Sequence, residues 1–171
     1  TTITPDLAAE EGLALSLWGD AGWGQMVKKG KVEAGRFSDE LVEGCAQMIE
    51  AWNPEPMPAW AACVPSLKWP ALVPDFAARL ADRLGIPFVP CVNKVKDSRP
   101  RKEMQNSFMQ AVNLDGVFAV DESKLPEGPA LLIDDTVDSR WTFTVIAALL
   151  RKAGCPAVFP LALAMSSPRS G

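Results

Sequence analysis

The chain has 171 residues, 48% hydrophobic and 22% charged, the composition of one globular domain with a real core, which excludes an intrinsically disordered chain. Its net charge of −4 argues against a free-standing nucleic-acid binder, a class that is usually basic. Histidine is absent and the four cysteines (Cys45, Cys63, Cys91, Cys155) form no CxxC pair, so zinc sites of the usual kind and histidine-based acid–base chemistry are excluded. Each cysteine sits in apolar company, as a reduced buried thiol does, which points to a cytoplasmic protein. No apolar run reaches the roughly 18–20 residues of a membrane span, so no membrane partner is expected. The opening "TTITPDLAAEEG" has neither an initiator Met nor a signal-peptide pattern and reads as a cut into a longer protein.

In chain order, residues 1–52 are expected as a helical N-terminal flank and residues 53–171 as an α/β core, one domain overall. "SLWGDAGWG" carries Trp18 and Trp23, which suit either the edge of the core or a stacking contact. "FSDELVEGCAQMIEAW" (37–52) places Leu41, Val42, Cys45, Ile49 and Trp52 at helical spacing behind Ser38 as N-cap. The prolines of "NPEPMP" (53–58) end that helix. "AWAACVPS" (59–66) reads as a buried strand, and "LVPDFAARLADRLG" (72–85) as an amphipathic helix closed by Gly85. Further strands are expected over 86–95, 116–120, 129–134 and 157–165, with a helix over 141–154. Strands alternating with helices predict a mostly parallel central sheet flanked by helices, with 129–165 forming one βαβ unit.

The pattern places Asp134 and Asp135 at the carboxyl end of a strand in an open parallel sheet, where ligands bind. The loop "TVDSRW" (136–141) then leads into a helix N-terminus, which attracts phosphates through free N–H groups and the helix dipole. Adjacent carboxylates beside such a cradle suit a sugar phosphate, whose ribose hydroxyls they can accept.

"LLIDDTVDSRWT" resembles the phosphoribosyl-diphosphate (PRPP) motif of type I phosphoribosyltransferases, with Asp134 and Asp135 matching its acidic pair, Ser139 one hydroxyl position and Thr142 the last Thr. The match departs at Asp138, where the motif has a first Thr, and at Arg140, where it has Gly. "RPRKEMQNSFMQAVNLDGVFAV" (99–120) resembles ComF-like phosphoribosyltransferase domains. "VPSLKWPALVPDFAARLADRLGIPF", "MQNSFMQAVNLDGVF" and "DDTVDSRWTFTVIAALLRKAG" resemble the phosphoribosyltransferase-like domain at the C-terminus of some bacterial RecQ-family DNA helicases, over roughly residues 12–164.

The resemblance implies a type I phosphoribosyltransferase-like fold. It also implies PRPP held by Asp134, Asp135, Ser139 and Thr142, with Mg²⁺ arriving through the diphosphate and the two aspartates as the catalytic pair. "PSLKWP" (65–70) matches the diphosphate-binding turn, where Ser66 lies and Lys68 would be the cation, and Trp141 would form a wall. A carboxylate at Asp138 would repel phosphate by roughly 4 kcal/mol per charge pair at about 4 Å, which Arg140 can offset. Asp138 is equally a good N-cap for a helix from 139 onward, worth about 1 kcal/mol.

"NKVKDSRPRK" (93–102) gathers Lys94, Lys96, Arg99, Arg101 and Lys102 against Asp97. It borders the family's mobile loop, reads as a phosphate-backbone contact to DNA, or is a solvated surface loop. Three functions follow: an active Mg²⁺-dependent transferase, a non-catalytic sensor of PRPP or a nucleotide, and a DNA- or protein-interaction module. In each, the helicase domains of the same parent chain are the expected partners.

Overall fold

The computed structural model describes residues 4–95, 116–138 and 140–166. Its elements are β1 (Leu13–Leu17), α1 (Trp23–Lys29), a π-helical turn (Gly30–Ala34), α2 (Asp39–Trp52), β2 (Trp60–Cys63) and α3 (Leu72–Leu84). There follow β3 (Val92–Lys94), β4 (Phe118–Val120), β5 (Ala130–Val137), α4 (Trp141–Lys152) and β6 (Val158–Met165). The central sheet is parallel, in the order β1–β6–β5–β2. Helices α2 and α3 cover one face and α4 the other, which is why β2 reads as an unbroken apolar run and β5 does until Asp134. Leu131 and Ile133 of β5 belong to the core under α2 and α3, while Ala130 and Leu132 belong to the core under α4.

Local chemistry sets the helices. Ser38 accepts a hydrogen bond from Leu41 N at the start of α2, and Leu41, Val42, Cys45 and Ile49 turn inward. Gly85 ends α3 at φ 76°, a left-handed conformation that favours glycine. Phe37 and Phe76 meet edge-to-face at 5.7 Å between α2 and α3. The βαβ unit expected over 129–165 is β5–α4–β6, paired from Ala130↔Val158 to Val137↔Met165.

Two elements differ from expectation. Residues 13–17, expected within a helical flank, form strand β1 on the edge of the sheet beside β6; α1 and α2 supply the helices of that flank. Five residues reading "LALSL" are too few for periodicity to separate strand from helix. Only pairing decides, and Ser16 Oγ adds a bond to Leu163 O at 2.8 Å. The strand expected over 86–95 is divided by Pro87 and Pro90, which cannot donate to a ladder. Phe88 bridges Ala61 in parallel, extending the sheet past β2, and β3 instead pairs antiparallel with β4 in a separate two-stranded sheet.

All four cysteines are free and buried. Burial pushes the Cys45 and Cys63 thiols up to about 12 and Cys91 to about 11, so they are inert packing groups. Trp18 packs against the core edge, and Trp23 lies over Gly44 of α2, where a Cβ would come 2.9 Å from its ring. No helix among the described residues is long and apolar enough to cross a membrane.

Candidate functional site

Strand β5 outruns β2. The last rungs between them are Cys63↔Ile133 and Val64 N to Ile133 O at 2.9 Å, so residues 134–137 are paired to β6 alone. The backbone N–H of Asp135, left without a β2 partner, donates to Asp134 Oδ1 at 2.8 Å. Thr136 donates to Asp135 Oδ1 from its N–H at 2.6 Å and its hydroxyl at 3.2 Å. The two carboxylates are thus fixed by the frayed end of the strand.

Among the described residues, Asp135 is the one charged residue that is buried, at 6% exposure. Its other oxygen faces Lys31 Nζ at 2.9 Å. This lysine comes from the π-helical turn, far from Asp135 in sequence, and no motif reading singled it out. The signal that existed was local: Gly30 and Gly35 bracket the turn. A Cβ at Gly30 would fall 2.7 Å from Phe37 Cδ1, and Gly35 sits at φ 70°. Single π-turns inside helices are frequent at functional sites. Asp134 is half-buried; burial first, then the Asp135 carboxylate, raise its pKa well above the ordinary carboxylate range, against a lowering pull from Asp135 N–H and Lys31.

Past β5, Asp138 is exposed and Arg140 adopts φ 67°, ψ −4°. Arg140, standing where the resembled motif has Gly, thus holds a left-handed conformation that costs a non-glycine residue about 1–2 kcal/mol. Helix α4 starts at Trp141, and Thr144 donates to Arg140 O from both N–H and Oγ1, each at 3.0 Å. Asp138 is not the N-cap expected of it: Arg140 holds that position, and its side chain makes no capping bond. The αL turn at Arg140 starts the helix later than a cap at 138 requires. Among the described residues, the cap position supplies no side-chain bond to the first-turn N–H groups of α4, the groups an anion would use. Thr142 lies in that turn, and Trp141 packs on the α4 core as a partly buried side chain.

Ser66 and Lys68 emerge after β2, beside the acid pair. Ser66 Oγ already accepts from Trp69 N at 3.0 Å, shaping the turn, and Lys68 Nζ lies 5.4 Å from the centre of the exposed Trp69 ring. Lys94 lies on β3 over Phe118 at 6.0 Å. Ser139, Lys96, Arg99, Arg101 and Lys102 lie outside the described residues. A cleft of about 390 Å³ opens on the far side of α4's first turn, where Arg140, Phe143 and Thr144 face the segment Ala8–Ala14 and the ends of β5 and β6. Of the expected site residues described, only Arg140 lines it; the acid pair does not.

Arg140 allows a two-sided test. Arg140→Gly removes the left-handed penalty and is expected to raise stability by about 1 kcal/mol in thermal denaturation. If Arg140 receives the phosphate of a ligand, the same substitution is expected to weaken that binding about tenfold by titration, since a guanidinium–phosphate bond is then lost.

The helix-flanked parallel sheet of this chain has a type I phosphoribosyltransferase-like fold, the fold of the solved structures it matches. No protein-family model and no curated protein matches it. Solved structures do. Adenine phosphoribosyltransferase from Saccharomyces cerevisiae, complexed with an imino-altritol bisphosphate and adenine, is 18% identical with a TM-score of 0.52, over 75% of this chain and 67% of that one. The enzyme from Leishmania tarentolae is 13% identical with a TM-score of 0.53, over 89% and 90% of the two chains. At such identities the likeness is one of fold.

Proposed function

We propose that this chain binds a phosphorylated ribose, PRPP or a nucleotide, at the carboxyl ends of β2 and β5, and serves as a regulatory phosphoribosyltransferase-like domain of a RecQ-family helicase. The observation that carries the ligand reading is Arg140: a non-glycine residue held left-handed between the acid-bearing strand and a helix N-terminus whose cap residue makes no side-chain bond. Strain of that kind is retained where a ligand loop needs it. The helicase context rests on the sequence resemblance of the segments at 64–88, 104–118 and 134–154.

Each residue has a part in holding the ligand. The first turn of α4, Thr142 and the Arg140 guanidinium receive the phosphate. Asp135, already fixed by Thr136 and Lys31, accepts from a ribose hydroxyl. Asp134, whose burial favours the protonated form, would in that form donate as well as accept. Lys68 stands where a diphosphate would lie, and Mg²⁺ enters, if at all, as the companion of a diphosphate. The Asp138 carboxylate beside this cradle disfavours the charge build-up of group transfer, which favours sensing over turnover.

The test is calorimetric titration with PRPP, ribose 5-phosphate and AMP. Micromolar binding is expected for at least one, and its loss in the double variant Asp134→Asn, Asp135→Asn. An absence of heat with all three would sink the reading and direct attention to DNA and the helicase domains.

A further inference from the structure

Resting on that reading, we infer that Lys31 is a built-in cation which takes the place of the divalent ion at the acid pair, so that this site binds PRPP without Mg²⁺. The geometry is on both sides of the pair. Asp135 Oδ1 is occupied by Thr136 N and Oγ1, and Oδ2 lies 2.9 Å from Lys31 Nζ, with the lysine head largely covered and the carboxylate almost wholly so. Oδ1 is filled, and Oδ2 keeps one acceptor site beside the ammonium, the site a ribose hydroxyl of the ligand takes.

The donor set also does not fit a divalent ion. Mg²⁺ demands near-octahedral oxygen coordination and gives up its waters reluctantly. Among the described residues there is no cluster of three or more His, Cys, Asp or Glu side chains to hold it without a ligand, so any divalent ion has to arrive on the diphosphate and find Lys31 already at the pair. An ammonium needs no such cluster. It carries three donors on a flexible stem, and pairing with one carboxylate leaves donors for ligand oxygens.

The backbone is shaped to deliver this one side chain. The π-helical turn at Gly30–Ala34 inserts extra chain between α1 and Phe37, and Gly30 is the residue that lets it lie against the Phe37 ring. Lys31 follows directly. Its charge balances Asp135, and burial together with the neighbouring Asp135 carboxylate favours the protonated form of Asp134. A diphosphate arriving beside this triad meets a cation in place, where an open acid pair would repel it.

The experiment titrates PRPP and ribose 5-phosphate into the intact chain, once with EDTA and once with millimolar MgCl₂. The wild type is expected to bind PRPP with affinities within about threefold in the two buffers. Lys31→Met is expected to lose at least tenfold in EDTA and to regain much of it with MgCl₂, and Lys31→Arg to stay metal-independent. Wild-type PRPP binding that requires MgCl₂ while ribose 5-phosphate binds in both buffers overturns the stand-in and leaves the ribose reading intact. No binding of either ligand in either buffer overturns both. The wild-type arms decide the matter even if Lys31→Met fails to fold, and unchanged EDTA affinity in a folded Lys31→Met overturns the role of Lys31.

Discussion

Asp135→Ala is expected to lower stability by about 2–4 kcal/mol, roughly 5–15 °C in Tm for a chain of this size. The loss has two parts. Thr136 loses the acceptor for its N–H and hydroxyl, and Lys31 keeps a covered charge with no carboxylate beside it. Removing one member of a covered ion pair costs more than removing both, because the surviving charge stays away from water. The double variant Asp135→Ala, Lys31→Met is therefore expected to recover about 1–2 kcal/mol of the loss, a coupling a denaturation cycle reads directly. A single-variant loss below about 0.5 kcal/mol would mean that solvent screens the pair as it does on an open surface.

Asp134→Asn is expected to act in the other direction. A carboxyl whose pKa is raised in the folded state binds its proton more tightly there than in the unfolded chain. Its contribution is most favourable below the ordinary carboxylate range, and stability declines as pH rises from that range through the raised pKa. Asparagine carries no charge to desolvate, and its Oδ1 can still accept from Asp135 N. The variant should exceed the wild type at neutral pH by about 2–4 °C, the shift that ~1 kcal/mol produces here, with the difference vanishing near pH 3. The comparison isolates Asp134, since Glu43 and Asp121, whose pKa values are lowered by hydrogen bonds from Arg83 and Ser123, tilt both profiles equally. A variant that gains nothing at neutral pH would mean that Asp134 is charged and well solvated in the fold.

What sequence could show, and what it could not, divides along the range of the interactions. Helices α2 and α3 were legible because Ser38, Gly85 and the apolar spacing act within one or two turns. The strand–helix–strand unit of β5, α4 and β6 was legible because its apolar runs are long and its joints short. The strand character of Leu13–Leu17 was not, since it exists only through β6. The acid pair was visible as two adjacent aspartates, yet the partner of Asp135 was not, because nothing near Lys31 in sequence refers to residue 135. The cap misassigned to Asp138 has a local cause as well. Capping preference cannot foresee that the chain spends a left-handed residue at Arg140 and begins its helix two positions later.

The long-range pairing of β1 with β6 has a bearing on how the domain is made. Ser16 and Leu163 meet across 147 positions, so the sheet closes on a contact that spans nearly the whole chain. Contacts of such separation form late, after the loop-closure entropy has been overcome. Lys31 follows β1 in the chain and reaches Asp135 across 104 positions, a shorter span that is still long-range. During synthesis β5 does not yet exist when Lys31 has left the ribosome, and the cation waits for its carboxylate. The Lys31–Asp135 pair thus forms only as the topology is completed, and its presence reports that the domain has been assembled from elements far apart in the chain.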